Sequence, residues 1–252
     1  MNKRNIITLI FFLTINFTYS QELKDSSIFI PAISASYSFQ IPGGDLAKRF
    51  GCNSAVGCSF TTKLKSNWVL GVEGNYMFGN DLKDEASGVL DGILTSNGKI
   101  ISKHGRYATV LLSERGFYLG AKGGRLFVLN KSYPNSGILL SVSGGLLQYK
   151  IRIDNDGNDA TQILGDKKKG YDKLTNGFAI NEFIGYMHNS KNKLLNFYIG
   201  FELYQAWTQS RRDFDFDTMS KDTKHRKDYL YSIKVGWMVP FNKRMPDKFY
   251  IY

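Results

Sequence analysis

"AISASYSFQI", Ala32 to Ile41, alternates with a period of two. Ile33, Ala35, Tyr37, Phe39 and Ile41 share one parity; Ala32, Ser34, Ser36, Ser38 and Gln40 share the other. Successive side chains of a strand point to opposite faces, so this segment has one oily face and one small, polar face. The oily face must look either at a protein core or at lipid, and the rest of the chain decides which.

The alternation recurs. It predicts strands over Asn53–Leu64, Trp68–Phe78, Phe117–Leu129, Ile138–Asp154, Gly177–Met187, Leu195–Gln209 and Tyr229–Phe241, eight with the first. The connections after strands one, three, five and seven read as long and polar: "PGGDLAKRFG", Gly79–Gly116, the stretch reaching Asn176, and Ser210–Asp228. Those after two, four and six ("KSN", "NKSYPNSG", "HNSKNK") carry turn signals and are short. An even strand count with alternately short and long connections is the pattern of an antiparallel transmembrane β-barrel with short periplasmic turns and long extracellular loops. A soluble sandwich gives no reason for one end to carry every long loop. The alternative, a secreted sandwich or lipocalin-like barrel, shares the period-two strands. Trp68, Phe78, Phe127, Tyr133, Tyr149, Tyr186, Trp207, Tyr229, Trp237 and Phe241 fall near strand ends, where a headgroup girdle of aromatics would sit. The oily face is therefore predicted to face lipid, where only a closed barrel satisfies a strand's backbone hydrogen bonds.

The N-terminus agrees. "MNKRNIITLIFFLTINFTYS" has Lys3 and Arg4, an apolar core from Ile6 to Ile15 and a small, polar end. That is the layout of a secretory signal peptide, too short for a convincing spanning helix. The predicted organisation is a signal peptide over 1–20, a mature start at Gln21, a periplasmic segment over 21–27, the barrel over 28–241 and a tail over 242–252. An uncleaved helical anchor is the alternative for the first segment. Removing Lys3 and Arg4 lowers the net charge from +11 to +9. An exported basic chain rarely meets nucleic acid; outer-membrane lipid and the phosphates of lipopolysaccharide are the expected counterparts. Cys52 and Cys58, placed on one strand, would lie about 20 Å apart at ~3.3 Å per residue, beyond disulfide reach. Both are expected to be free and buried.

These strands and connections resemble the small eight-stranded outer-membrane barrels, such as the membrane domain of OmpA and the OmpX and OmpW types. The resemblance covers Ile28 to Phe241 and is architectural, with no motif matched residue by residue. The cut before Gln21 and the abundance of Lys, Asn and Tyr look like Bacteroidota examples. The resemblance implies a cell outer membrane location in a Gram-negative envelope. Barrels of this type end on a terminal aromatic; Phe241 would fill that place, although "NKRMPDKFYIY" continues beyond it.

The polar parity supplies the interior. Glu73, Glu202 and Lys234 point inward, and Lys122 joins them if Phe117 and Leu119 face out. Eight strands enclose only enough space for side chains, and buried charges must pair. The four are read as one ion-pair network plugging the lumen; a narrow gated pore is the alternative. In the loops, "DNDGND", Asp154 to Asp159, spaces carboxylates as a calcium loop would. It has Asp159 where glycine and Gly165 where glutamate is required, so a solvated turn is expected. "GDKKKGYDK" (Gly165–Lys173) and "SKDTKHRKD" (Ser220–Asp228) are basic runs, either solvated or in contact with lipopolysaccharide phosphates. His104 and His225 could share the outer rim with Asp213, Asp215 and Asp217, while His188 falls at the short-turn end. Nothing in the spacing unites them, so no enzyme, cofactor or metal is expected.

The longest connection is the odd one. Val89, Leu90, Ile93, Leu94, Ile100, Ile101, Val110, Leu111 and Leu112 make Gly88–Gly116 too apolar for disorder. They form either a cap folded over the barrel or a docking surface for another protein; a hairpin around "SNGK" and "KHGR" fits either, or raises the strand count to ten. The docking reading makes the chain a non-enzymatic accessory subunit of an outer-membrane complex, a secretion or barrel-assembly machine. The alternative is a stand-alone barrel for membrane stability or slow small-solute passage.

Overall fold

The computed structural model describes residues 27–130, 133–190 and 195–241. The predicted signal peptide, the start at Gln21 and the tail after Phe241 lie outside them. The strands are β1 (Ile30–Gly44), β2 (Asn53–Lys63), β3 (Trp68–Gly79), β4 (Ile100–Ile101), β5 (Tyr107–Ala108), β6 (Val110–Val128), β7 (Gly137–Asn155), β8 (Thr175–His188), β9 (Phe197–Ser210) and β10 (His225–Pro240). Eight of them form a closed barrel in the order β1-β10-β9-β8-β7-β6-β3-β2. Its seam is the antiparallel β1–β10 ladder, from Ala32 opposite Pro240 to Gly44 opposite Asp228. The hairpin β4–β5 pairs only with itself and sits in the long connection, so the barrel keeps eight strands.

Alternation sets the two faces. Ser34, Ser38 and Gln40 are buried, while Ile33, Tyr37, Phe39 and Ile41 are about half exposed on the outer wall. Outward neighbours from the other strands (Val56, Leu70, Val72, Leu146, Ile184, Ile199, Phe201 and Ile233 among them) extend that surface around the barrel. So broad an apolar surface suits hydrocarbon and not water. Trp68, Tyr76, Phe127, Tyr186, Trp207 and Trp237 are exposed toward its two edges. Tyr149 does not join the girdle: it points inward and is buried, its hydroxyl donating to Asp228 Oδ2 at 2.7 Å.

Two expectations about length change. The first connection, 45–52, is no longer than the turn 129–136, because Pro42, Gly43 and Gly44 continue the β1 ladder against Leu230, Tyr229 and Asp228. And β6 starts at Val110, not at Phe117. It pairs with β7 from Val110 opposite Asn155 to Val128 opposite Gly137. Its 19 residues span ~60 Å at ~3.3 Å per residue, whereas ~9–11 tilted residues cross a bilayer. The β6–β7 ribbon therefore stands well above the membrane. The connections 80–109 and 156–174 fold against it. Both cysteines are free, but exposed instead of buried: Cys52 just precedes β2 and Cys58 faces outward.

Candidate functional site

The lumen is filled in three layers. At mid-height Glu73 of β3, Lys122 of β6, Glu202 of β9 and Lys234 of β10 converge, all buried. Lys122 Nζ lies 2.9 Å from Glu73 Oε2, and Lys234 Nζ lies 2.9 Å from Glu202 Oε1 and 3.6 Å from Glu73 Oε2. Lys122 is inward because Phe117 and Leu119 face out. Two carboxylates meet two ammonium groups, so the layer is neutral, as a low-dielectric interior requires.

Neutral side chains tie the ions together. Asn181 Nδ2 donates to Glu73 Oε1 and to Glu202 Oε1, each at 3.0 Å. Ser143 Oγ donates to Glu73 at 2.5 Å and Ser38 Oγ to Glu202 Oε2 at 3.1 Å. Sequence reading missed these bridges, although the inward parity of β8 and β7 carried the signal for Asn181 and Ser143.

Beneath the ions, toward the short turns, Val69, Leu126, Leu139, Phe183, Met187, Tyr198 and Met238 pack as an apolar plug. Phe183 and Tyr198 meet edge to face with centroids 5.8 Å apart. Gly236 makes room for this packing: a Cβ there would collide with the Tyr198 ring. The void between plug and ions, bordered by Lys122, Ser34 and Tyr198, is about 10 Å³, room for no more than about one water. Above the ions, Tyr118 and Tyr204 meet edge to face at 5.1 Å, and Leu147, Leu230 and Met77 complete the layer.

The extracellular mouth is covered. Val89, Leu90 and Ile100 are buried in one core with Leu46, Phe50, Tyr149, Ile151 and Ile163, and Ile93, Leu94, Val110 and Leu112 pack against it. Of the nine aliphatics read either as a cap or as a docking surface, seven pack within the chain's own cap, because the tall β6–β7 ribbon supplies area that a narrow rim would not. Ile101 and Leu111 stay exposed. Polar pairs pin the cap. Arg49, itself buried, donates to Thr175 Oγ1 at 3.1 Å and to Asp222 Oδ2 at 3.3 Å, and Arg226 bonds the same carboxylate. Burial alone would raise Asp222, but these guanidinium groups and the Lys224 backbone N–H hold its carboxyl below the ordinary value. Arg212 grips Asp172 with two bonds, at 2.7 and 2.5 Å.

The other sequence candidates are not assembled. Asp154 faces Arg152 at 2.9 Å, and Asp159 lies 3.6 Å from Lys103 and 3.8 Å from His104. Asp154 and Asp159 thus meet neighbouring cations, and among the described residues the "DNDGND" carboxylates do not converge on a shared centre. His225 opens β10 opposite Gln209, whereas His104 lies in the β4–β5 turn beside Asp159. Asp217 pairs with Lys173 at 2.6 Å. Asp215 is pushed up from the ordinary carboxylate value by burial.

A closed antiparallel ring of eight strands, oily outside and ionic within, is a small outer-membrane β-barrel. Solved structures similar to it include the attachment invasion locus protein Ail of Yersinia pestis, at 11% identity over 83% of this chain and 97% of that chain, TM-score 0.41. The N-terminal β-barrel domain of Pseudomonas aeruginosa OprF is similar at 11% identity over 82% and 96%, TM-score 0.35. The outer membrane protein OprG of the same organism follows at 10% identity over 84% and 96%, TM-score 0.34. This likeness is one of architecture, and no functional statement rests on it. No family model and no curated relative matches the sequence.

Proposed function

We propose that the protein is a non-enzymatic, non-conducting outer-membrane barrel that anchors a folded extracellular cap above the lipid surface. The observation that carries this reading is the filled lumen: an apolar plug, a neutral ionic layer and a tyrosine layer occupy its height beneath a packed cap. Slow solute passage would need an opening, and the gap between the plug and the ionic layer is about 10 Å³. Its first partner is outer-leaflet lipid, including lipopolysaccharide. Planar-bilayer recording tests the seal. The protein should show no conductance steps; steady unitary steps would overturn the reading.

A second reading, the accessory subunit of an outer-membrane complex, is favoured by one observation. Ile101, Tyr107 and Leu111 on the β4–β6 side of the cap, with Phe214 and Met219 in the last loop, remain exposed. Exposed apolar side chains on an extracellular platform suit a protein contact. Extraction in mild detergent followed by native mass measurement distinguishes the two. A stable partner lost on Ile101→Ser with Leu111→Ser supports the subunit, and a lone chain supports the stand-alone barrel.

A further inference from the structure

The outer wall holds a recess that the lumen chemistry does not use. Above the lipid-facing pair Leu119 and Leu146, the β6–β7 ladder continues on the same face as Phe117 with Gln148, Arg115 with Lys150, and Ser113 with Arg152. Tyr76 of β3 stands opposite Phe117. The connection 156–174 leans on this wall: Lys168 Nζ donates to the Ile153 carbonyl at 3.0 Å, and the Ile151 N–H to the Asp172 carbonyl at 2.8 Å. Between wall and connection lies a cavity of about 450 Å³, lined by Arg115, Lys150, Arg152 and Lys168 with Tyr76 and Phe117 at its membrane end.

Its charges are not balanced from within. Arg115 and Lys150 are directly opposite each other, and like charges so placed on a ladder repel. Among the described residues the Arg115 side chain bonds only the Glu114 carbonyl, at 2.6 Å, and the Lys150 ammonium meets no acceptor. Arg152 is answered by Asp154. Asp172, the other carboxylate at the recess, is already taken by Arg212. Four cations thus share one available carboxylate, which leaves the recess with an excess of positive charge.

We infer that this recess binds the phosphate of a phosphorylated amphiphile of the outer leaflet. The site sits where girdle aromatics give way to polar wall, at headgroup height, with Leu119 and Leu146 below it for acyl chains. Arg115 and Lys150 donate charge-assisted bonds to the phosphate oxygens, and Lys168 closes the site from the connection. The inference rests on the membrane placement proposed above.

The test titrates the full chain in zwitterionic micelles with a diphosphorylated glycolipid (lipid A), with its dephosphorylated form and with inorganic phosphate, binding being read by native mass spectrometry. The phosphorylated glycolipid should bind, and Lys150→Gln with Arg152→Gln should weaken it about tenfold or more. Lys150→Gln alone, at an exposed position, should weaken it in the same direction if the double variant does not fold. Lys167→Gln with Lys169→Gln, on the same connection but outside the recess, should leave it unchanged. Equal binding by the wall variants, or an equal loss in the connection variants, overturns the site. Equal binding of the dephosphorylated glycolipid, or saturation by inorganic phosphate at the same concentrations, overturns the phosphorylated amphiphile as its ligand. Failure of the membrane placement is read separately, as loss of heat-modifiable gel mobility in the unmodified chain.

Discussion

Lys234 meets Glu202 diagonally: Gly200 is directly opposite Lys234 and Ser232 opposite Glu202, yet Nζ and Oε1 are 2.9 Å apart. Gly200 has no side chain to stand in the way, so the lysine can tilt along the barrel axis toward the carboxylate and on toward Glu73. Removing one partner leaves the other buried without compensation. We predict that Lys234→Met lowers stability by about 3–5 kcal/mol, and that adding Glu202→Gln recovers part of the loss because neutrality returns. Urea titration in micelles, followed by heat-modifiable gel mobility, measures both; equal stability of wild type and the single variant would count against a paired network.

Glu182 breaks the oily belt. It points outward on β8, between Val142 on one neighbour and Leu203 on the other, four residues from both Phe178 and Tyr186 on the same face. Among the described residues its side chain accepts only a long bond from Gln205, at 3.5 Å. Basic residues cost ~2–4 kcal/mol at the bilayer midplane and carboxylates less, so Glu182→Leu should stabilise the barrel by about 1–2 kcal/mol. A destabilised Glu182→Leu variant in the same urea titration would show that the carboxylate has a structural role in the belt.

The cap and the barrel should come apart. Leu90 is buried against the core that includes Phe50 and Tyr149, on the extracellular side of the membrane. Leu90→Ala should cost the cap about 2–5 kcal/mol of packing. Limited proteolysis should then cut within 80–109 while heat-modifiable mobility stays unchanged. Loss of both together would mean that cap and barrel form one cooperative unit.

Acid should loosen the first connection before the wall. Lys48 donates to Asp45 at 2.8 Å and the Lys227 backbone N–H donates at 3.0 Å, holding the Asp45 carboxyl at about 2 against an ordinary 3.8. A carboxyl depressed on folding contributes stability above its unfolded value, and that stability is lost as pH falls through the folded value. Screened by solvent, the contribution is at most about 1 kcal/mol. Asp45→Asn should remove the dependence between pH ~4 and ~2 as seen by hydrogen exchange at Lys48 and Lys227. An unchanged profile would assign the acid response to other groups.

The inward set Glu73, Lys122, Glu202 and Lys234 was legible because it follows from parity, and strand number and closure because period-two segments recur between short turns and long connections. A one-residue shift would turn every oily side chain of a strand inward, so local alternation fixes which face a residue takes. Parity does not say at what height two residues on different strands meet. That depends on register around the ring, which brings Asn181 between Glu73 and Glu202 and sets Arg115 against Lys150. Nor does it say where a strand stops. Ser113 to Arg115 read as connection, and only pairing with Lys150 to Arg152 makes them strand, carrying β6 and β7 above the apolar belt. The apolar residues of 80–109 announced burial by composition alone. What buries them was decided by that ribbon, a surface which exists only after residues far apart in the chain have paired.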